Sequence, residues 1–386
     1  MSSAPELRAT RPTWADIDSA AFGRNLEAVA SRLPAGSRLI AVMKANAYGH
    51  GAAELARQCT PERVAMIAVV MLEEALELRR AKAKVPILIL GPLTEEQIPI
   101  AAANGLAIGV PGPEELESIV RAARDRDVRI HLKLDSGMGR MGSVEWELPR
   151  VAELIRSAPR LRVDAIYTHF ANSGDPGDRF TEEQSARFDT LVATLRQAGI
   201  TAPLHHRANS GATMRGLVSP GEYVRVGIAL YGAEALDSGV SRLEPVMRWR
   251  TEIVRLKDLP PGHAIGYGMT FVTKRPSRIA TLPVGYADGY NRLLSNKGEV
   301  LIRGRRAPVV GRVSMDLVTI DVTDIPDASL GDEVVLLGPS GGEIITPEEI
   351  GGKIGTISYE VLCGVSARVP RVFRDGERIT VCSRFA

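Results

Sequence analysis

Between residues 38 and 227, short apolar runs recur: RLIAVMK (38–44), VAMIAVV (64–70), VPILIL (85–90), LAIGV (106–110), VRIHLKL (128–134), VDAIYTHF (163–170), PLHHRAN (203–209) and EYVRVG (222–227). Each is bounded by turn residues, and the segments between them, such as 94–103, 113–124 and 181–198, carry the apolar spacing of amphipathic helices. Strands alternating with helices imply βα units on a parallel sheet, and eight units predict an N-terminal (β/α)8 barrel of the TIM type. The fifth run tests this by parity. Val128, Ile130, Leu132 and Leu134 make one apolar face, while Arg129, His131 and Lys133 take the other, an interior too polar to be packing alone.

After about residue 243 the pattern becomes two-residue alternation broken by Gly/Pro turns, as in RWRTEIVRL (248–256), GEVLIRG (298–304) and DEVVLLG (332–338). That predicts a C-terminal, mainly antiparallel β domain. The fold class is therefore α/β, with a barrel over 13–242, a β domain over 243–386, and residues 1–12 expected to dock on the latter.

The chain's 386 residues suffice for two or three folding units, and 45% hydrophobic with 24% charged residues is globular composition. Lys and Arg number 48 against 46 Asp and Glu, so no charge excess points to nucleic acid or to an anionic membrane. Cys59, Cys363 and Cys382 form no CxxC and are too dispersed for a disulfide framework or zinc site, which suggests a reducing compartment and no metal. The N-terminal stretch lacks the apolar core of a signal peptide, and the most apolar run, 64–72, is half a membrane span. A cytoplasmic protein is expected.

The strongest local signal is AVMKANAYGHG (41–51), where Lys44 ends a strand at the barrel face that carries catalytic groups. This string resembles the pyridoxal-phosphate attachment motif of the bacterial alanine racemase family, the fold-type III enzymes. Further motifs of that family follow in order: KLDSGMGRMG (133–142), THFANS (168–173), RANS (207–210), RVGIALYG (225–232), AIGYGMTF (264–271), LPVGYADGY (282–290), GRVSMD (311–316) and RVPRVF (368–373).

The resemblance implies interconversion of L- and D-alanine, with D-alanine supplied for peptidoglycan in a bacterial cytoplasm. Lys44 would hold pyridoxal 5'-phosphate and act as one base, and Tyr267 of the other subunit would be the second. Inverting a stereocentre with one base requires reach to both faces; two bases only exchange roles. A phenol with its ordinary pKa of about 10 is a poor base unless cations or hydrogen bonds help it, and His169 and Arg225 match the family residues that do so. Arg225 also matches the arginine facing the pyridine nitrogen. The phosphate would be held by Tyr48, Asn209, Ser210 and the backbone at Gly227 and Ile228. The substrate carboxylate falls to Arg140 and the partner's Met315 backbone, with Tyr286 and Asp316 lining the mouth. Lys133 matches a lysine often carbamylated in the family; unmodified beside Arg140 it would require a bound anion. Sites built from two chains imply a homodimer.

The family often carries a tyrosine just before RVPR that limits substrate size. Ala367 stands there in this chain, which would leave room for serine or broader racemisation. A non-catalytic pyridoxal-phosphate carrier would lack the second domain and Tyr267, and barrel-plus-β decarboxylases match these motifs less well. GMGRMG (137–142) also satisfies GxGxxG, but it follows the fifth strand and lies inside a longer family motif. His205 and His206, adjacent on a strand, are expected to point to opposite faces.

Overall fold

The computed structural model describes residues 11–122, 126–233, 243–376 and 378–383. The chain's first strand is β1 (Thr13–Asp18). The eight apolar runs follow as β2 (Leu39–Val42), β3 (Met66–Val69), β4 (Ile87–Ile89), β5 (Ala107–Val110), β6 (Val128–Lys133), β7 (Leu161–Tyr167), β8 (Leu204–His206) and β9 (Val224–Val226). Strands β2 to β8 pair in sequence order, all parallel, and β9 lies against β2. The ring closes between β8 and β9 through Tyr223 N–H to the His205 carbonyl and Arg225 N–H to the Ala208 carbonyl, both 2.9 Å. Helices cover the outside and side chains fill the inside, so β2 to β5 are buried at every position. The expected helices appear as Gln97–Ala103, Pro113–Ala122 and Phe180–Gln197, while 123–125 lie outside the described residues.

Parity in β6 holds where the barrel is closed: His131 and Lys133 are buried inside it. Arg129 differs. It sits at the strand's first turn, half-exposed, and pairs with Asp164 at 2.5 Å.

β1 corrects the expected domain division, which gave the barrel everything from residue 13. It pairs antiparallel with β10 (Met247–Glu252) and parallel with Arg371–Asp375, in the second sheet. The physical cause is that TWADID is buried except at its last position, where Asp18 caps helix Ser19–Ala30 by accepting from Ala21 N–H. Of the stretch expected to dock, residues 1–10 lie outside the described residues. Arg11 forks onto the buried Asp288 at 2.8 and 2.5 Å, against the β domain. The expected boundary at 242/243 coincides with the end of 234–242, also outside them.

The β domain holds an eight-stranded sheet, antiparallel but for the pairing of β1 with Arg371–Asp375, and a three-stranded antiparallel one. A hairpin of Ala264–Ile265 and Phe271–Val272 stands apart, with Tyr267 in its connecting turn. Two helices, Pro347–Ile354 and Ser358–Gly364, accompany the strands of this mainly antiparallel domain. Thr346 caps the first, accepting from Glu349 N–H with Pro347 in the first turn. The second packs on the segment after β2.

Candidate active site

The C-terminal ends of the barrel strands open into a cavity of about 580 Å³. Lys44 follows β2, Lys133 ends β6 and Arg140 lies in the loop beyond; His169 follows β7, and Arg225 lies on β9. Tyr48, Asn209, Ser210, Gly227 and Ile228 complete the expected residues that line it. Asn209 caps the short helix Ser210–Met214, accepting from Ala212 N–H. Together these carry four cationic side chains, and among the described residues no carboxylate lines the cavity. Burial, then the charge of Arg140, holds the Lys44 amine below its ordinary range. Lys133 falls to about 8, mainly from burial, with Arg140 and Arg225 adding to it.

The segment after Lys44 runs through a left-handed turn, with φ of 51 to 54° at Ala45, Asn46, Ala47 and Tyr48. It swings the Tyr48 ring to 4.9 Å from Tyr231 and sets its hydroxyl over Gly227. Gly227 N–H donates to Ser210 Oγ at 3.0 Å. A methyl at Gly227 would lie 3.0 Å from Tyr48 Cζ and closer still to its hydroxyl, so the absent side chain is what leaves this cradle open. The residues present therefore fit a phosphorylated pyridine aldehyde: an amine that loses its proton readily, a small polar cradle, and a fixed donor on the opposite wall.

That donor is Arg225, fully buried, whose guanidinium falls to about 10 through desolvation and stays charged at neutral pH. One terminal nitrogen donates to His206 Nδ1 at 2.6 Å, the other to His169 Nδ1 at 3.0 Å and the Thr168 carbonyl at 2.6 Å. An arginine has no acceptor, so both imidazoles must present bare Nδ1 lone pairs and carry hydrogen on Nε2. His206 Nε2–H then donates to His131 Nδ1 at 2.9 Å. Burial, reinforced by Arg225, drives both His169 and His206 well below the ordinary imidazole range, so this relay is neutral apart from the arginine. His205 lies outside, its ring edge-on to Phe188 at 6.0 Å.

Tyr267, Tyr286, Met315 and Asp316 do not line this cavity. Tyr267 is 73% exposed at its hairpin tip and Met315 53%. Asp316 pairs with Arg368 at 2.8 Å, and Ala287 N–H donates to the Met315 carbonyl at 3.1 Å, beside Tyr286. Ala367 is a correction: it is exposed and lines nothing in the cavity. Tyr359, on helix Ser358–Gly364, lines it instead, 5.9 Å from Tyr48 between ring centroids. Aligning on RVPR missed it; the SYE preceding the helix's apolar turn was the available signal. The GMGRMG glycines open no helix. Asp135 accepts from Gly137, Met138 and Gly139 N–H at 2.8 to 2.9 Å, an acid-pinned turn rather than a phosphate loop.

Family models described as the alanine racemase N-terminal and C-terminal domains match residues 17–235 and 246–373. The chain is 41% identical over 372 residues to an alanine racemase of Halothermothrix orenii, covering 95% of this chain and 98% of that one. The alanine racemase of Bacillus anthracis, solved with bound L-Ala-P, superposes with TM-score 0.91 at 34% identity, over 97% of this chain and 98% of that one. An alanine racemase of Bartonella henselae with covalently bound pyridoxal phosphate gives TM-score 0.85 at 28% identity, over 95% and 100%.

Proposed function

The chain belongs to the alanine racemase family, and from that premise we propose that it interconverts L- and D-alanine with pyridoxal 5'-phosphate by two-base proton transfer. The observation that carries this is the cavity itself, where a readily deprotonated Lys44, the Gly227 cradle and the Arg225 relay converge. Bound pyridoxal phosphate supplies an electron sink conjugated to the substrate nitrogen, without which an amino acid's α-proton is too weakly acidic to remove.

Lys44 would hold the cofactor, and its amine, which burial makes readily deprotonated, would be the base on one face. Tyr48, Asn209, Ser210 and the backbone at Gly227 and Ile228 hold the phosphate. Arg225 would hold the cofactor ring as a donor that keeps its own proton, which would moderate the sink and favour racemisation over side reactions. Arg140 pairs with the substrate carboxylate, aided by the partner's Met315 backbone. On the other face, Tyr267 delivers or accepts the proton. Because Arg225 occupies His169 Nδ1, the remaining Nε2–H is available to stabilise a phenolate oxygen, which helps a tyrosine serve as base.

Tyr267, Met315, Tyr286 and Asp316 stand on exposed parts of the β domain, away from this chain's own cavity, which supports a homodimer with shared sites. The three cysteines are free, and among the described residues no helix is long and apolar enough to cross a membrane. A cytoplasmic supply of D-alanine for peptidoglycan is the role that fits these features. Alanine is the substrate, since the case for serine rested on Ala367.

Incubation with separate L-amino acids in deuterium oxide should give α-deuteration and D-product largely confined to alanine. Mixing K44A with Y267F should restore activity absent from either alone, because one site of each heterodimer then has both bases. Absence of exchange with every amino acid refutes the two-base reading; absence of complementation refutes the shared site.

A further inference from the structure

The left-handed turn behind Lys44 is disfavoured on its own. Four consecutive L-residues, Ala45 to Tyr48, hold positive φ, where Cβ crowds the following carbonyl, and none is glycine. Such a conformation persists only where its surroundings over-determine it. Residues outside the cavity do so here. Glu74 accepts from Ala45 N–H at 2.6 Å and Asn46 Oδ1 from Ala52 N–H at 2.8 Å. From the β domain, Arg371 donates to the Gly49 carbonyl at 3.0 Å.

The central clamp is His50. Its Nδ1 lies 2.9 Å from the Ala47 carbonyl and 3.0 Å from that of Tyr48, closing the end of the turn onto itself. Carbonyls only accept, so Nδ1 carries the hydrogen and donates to both. Nε2 is then a bare lone pair, buried without a partner. The ring stacks 4.7 Å from Tyr231, whose hydroxyl donates to the Val42 carbonyl at the end of β2. One aromatic pair thus ties down both ends of the segment that bears Lys44 and Tyr48.

We propose that His50, which touches neither cofactor nor substrate, is a positioning residue whose Nδ1–H locks the left-handed turn and so sets the cofactor lysine against the phosphate cradle. The proposal rests on the cofactor reading above. Its geometry separates two isosteres: an asparagine amide nitrogen falls where Nδ1 lies and can donate to both carbonyls, whereas glutamine carries its amide one bond too far.

The test is a fluorescence titration of apoprotein with pyridoxal phosphate, alongside melting of the apo form, for H50N, H50Q and the double variant A45G/H50Q. H50N should bind within threefold of wild type. H50Q should bind at least tenfold more weakly and lose kcat, and A45G, which relieves one strained position, should recover part of the affinity. A residue that serves only packing would lower the apo melting temperature in H50N and H50Q alike without this split in affinity, and that result overturns the proposal. If H50Q proves insoluble, H50N alone decides, since a tenfold loss in that variant also overturns it. Wild-type protein that fails to bind pyridoxal phosphate would instead sink the cofactor reading, leaving the two failures distinguishable.

Discussion

Gly227→Ala isolates the cradle in a single methyl. That methyl would sit 3.0 Å from Tyr48 Cζ and nearer to its hydroxyl, where ordinary carbon contacts lie at about 3.5–4.0 Å. Gly227 has φ −118°, so no left-handed backbone is involved, and the clash follows from the methyl's contacts. The Tyr48 ring must retreat, yet it is buried between Tyr231 at 4.9 Å and Tyr359 at 5.9 Å. Overpacking of this kind costs about 1–3 kcal/mol. If it falls on the bound state, pyridoxal phosphate binds roughly 5- to 150-fold more weakly, at about 1.4 kcal/mol per tenfold. Melting with and without cofactor divides the effect, since each tenfold loss of affinity removes about 1.4 kcal/mol of ligand-linked stability at saturating ligand. Gly364→Ala is the control, because nothing lies within 4 Å of the added methyl. A G227A protein that melts like wild type and binds the cofactor within twofold of it would refute the cradle.

Arg207 forks onto Glu222 with both side chains below a tenth exposed, and also reaches Ser185 and Asp189. R207A strands a buried carboxylate and should destabilise the barrel by about 3–5 kcal/mol in denaturant titration; a loss below 1 kcal/mol would contradict that. Four imidazoles, His169 half-buried at the cavity wall and the others buried, are held neutral mainly by desolvation, His50 and His131 at about 4 and His169 and His206 well below their ordinary value. The unfolded chain takes these protons near pH 6.5 while the folded one does not, so stability is complete above about 6.5 and falls as the pH drops toward 4. Linkage puts the loss at up to about 5 kcal/mol between pH 7 and 5.5, readable by melting across that range, where a flat profile would show the imidazoles free to charge. Lys133, with its amine at about 8, should yield a carbamate signal in carbon-13 NMR under labelled bicarbonate. K133A should lose activity that small anions partly restore, and full activity without added anion would refute the role.

The barrel was legible because β2 to β5 are buried at every position and read as unbroken apolar runs, and the later strands keep enough apolar positions between helix patterns to continue the series. β1 escaped for the opposite reason. TWADID runs directly into a helix, as any βα unit does, and nothing local reveals that its partners lie some 230 residues away, at Thr251 and Met247. Tyr359 escaped because its register was taken from RVPR, although its helix starts just after a Thr-Pro-Glu-Glu start signal that opens the neighbouring one. The left-handed turn had no sequence mark. ANAY contains no glycine, and the conformation is imposed by His50 just beyond it and by Glu74 and Arg371, which reach it from other parts of the fold. Chemistry-bearing residues were more legible than geometry, since the run pattern placed Lys44 at a strand end and the family motifs carried Arg225 and Ser210 over residue by residue.

The charge of the cavity suits a zwitterionic substrate. Lys44, Lys133, Arg140 and Arg225 line it with no carboxylate among the lining residues, and the five bonds from the terminal nitrogens of Arg225 all go to neutral acceptors. Burial first, and then repulsion from Arg140, lowers both the Lys44 and the Lys133 amine. A phosphate contributes nearly two negative charges, too few to balance four cations. Conversion of Lys133 to a carbamate removes one cation and adds one anion in the same place, beside Arg140. What remains is about two positive charges, which the phosphate cancels. An amino acid entering as a zwitterion then meets a site without net charge, its carboxylate drawn to Arg140 and its amine to the cofactor. A substrate with an additional side-chain charge would bring an unbalanced ion into a low-dielectric cavity, so Lys and Asp are expected to exchange their α-proton far more slowly than alanine in deuterium oxide.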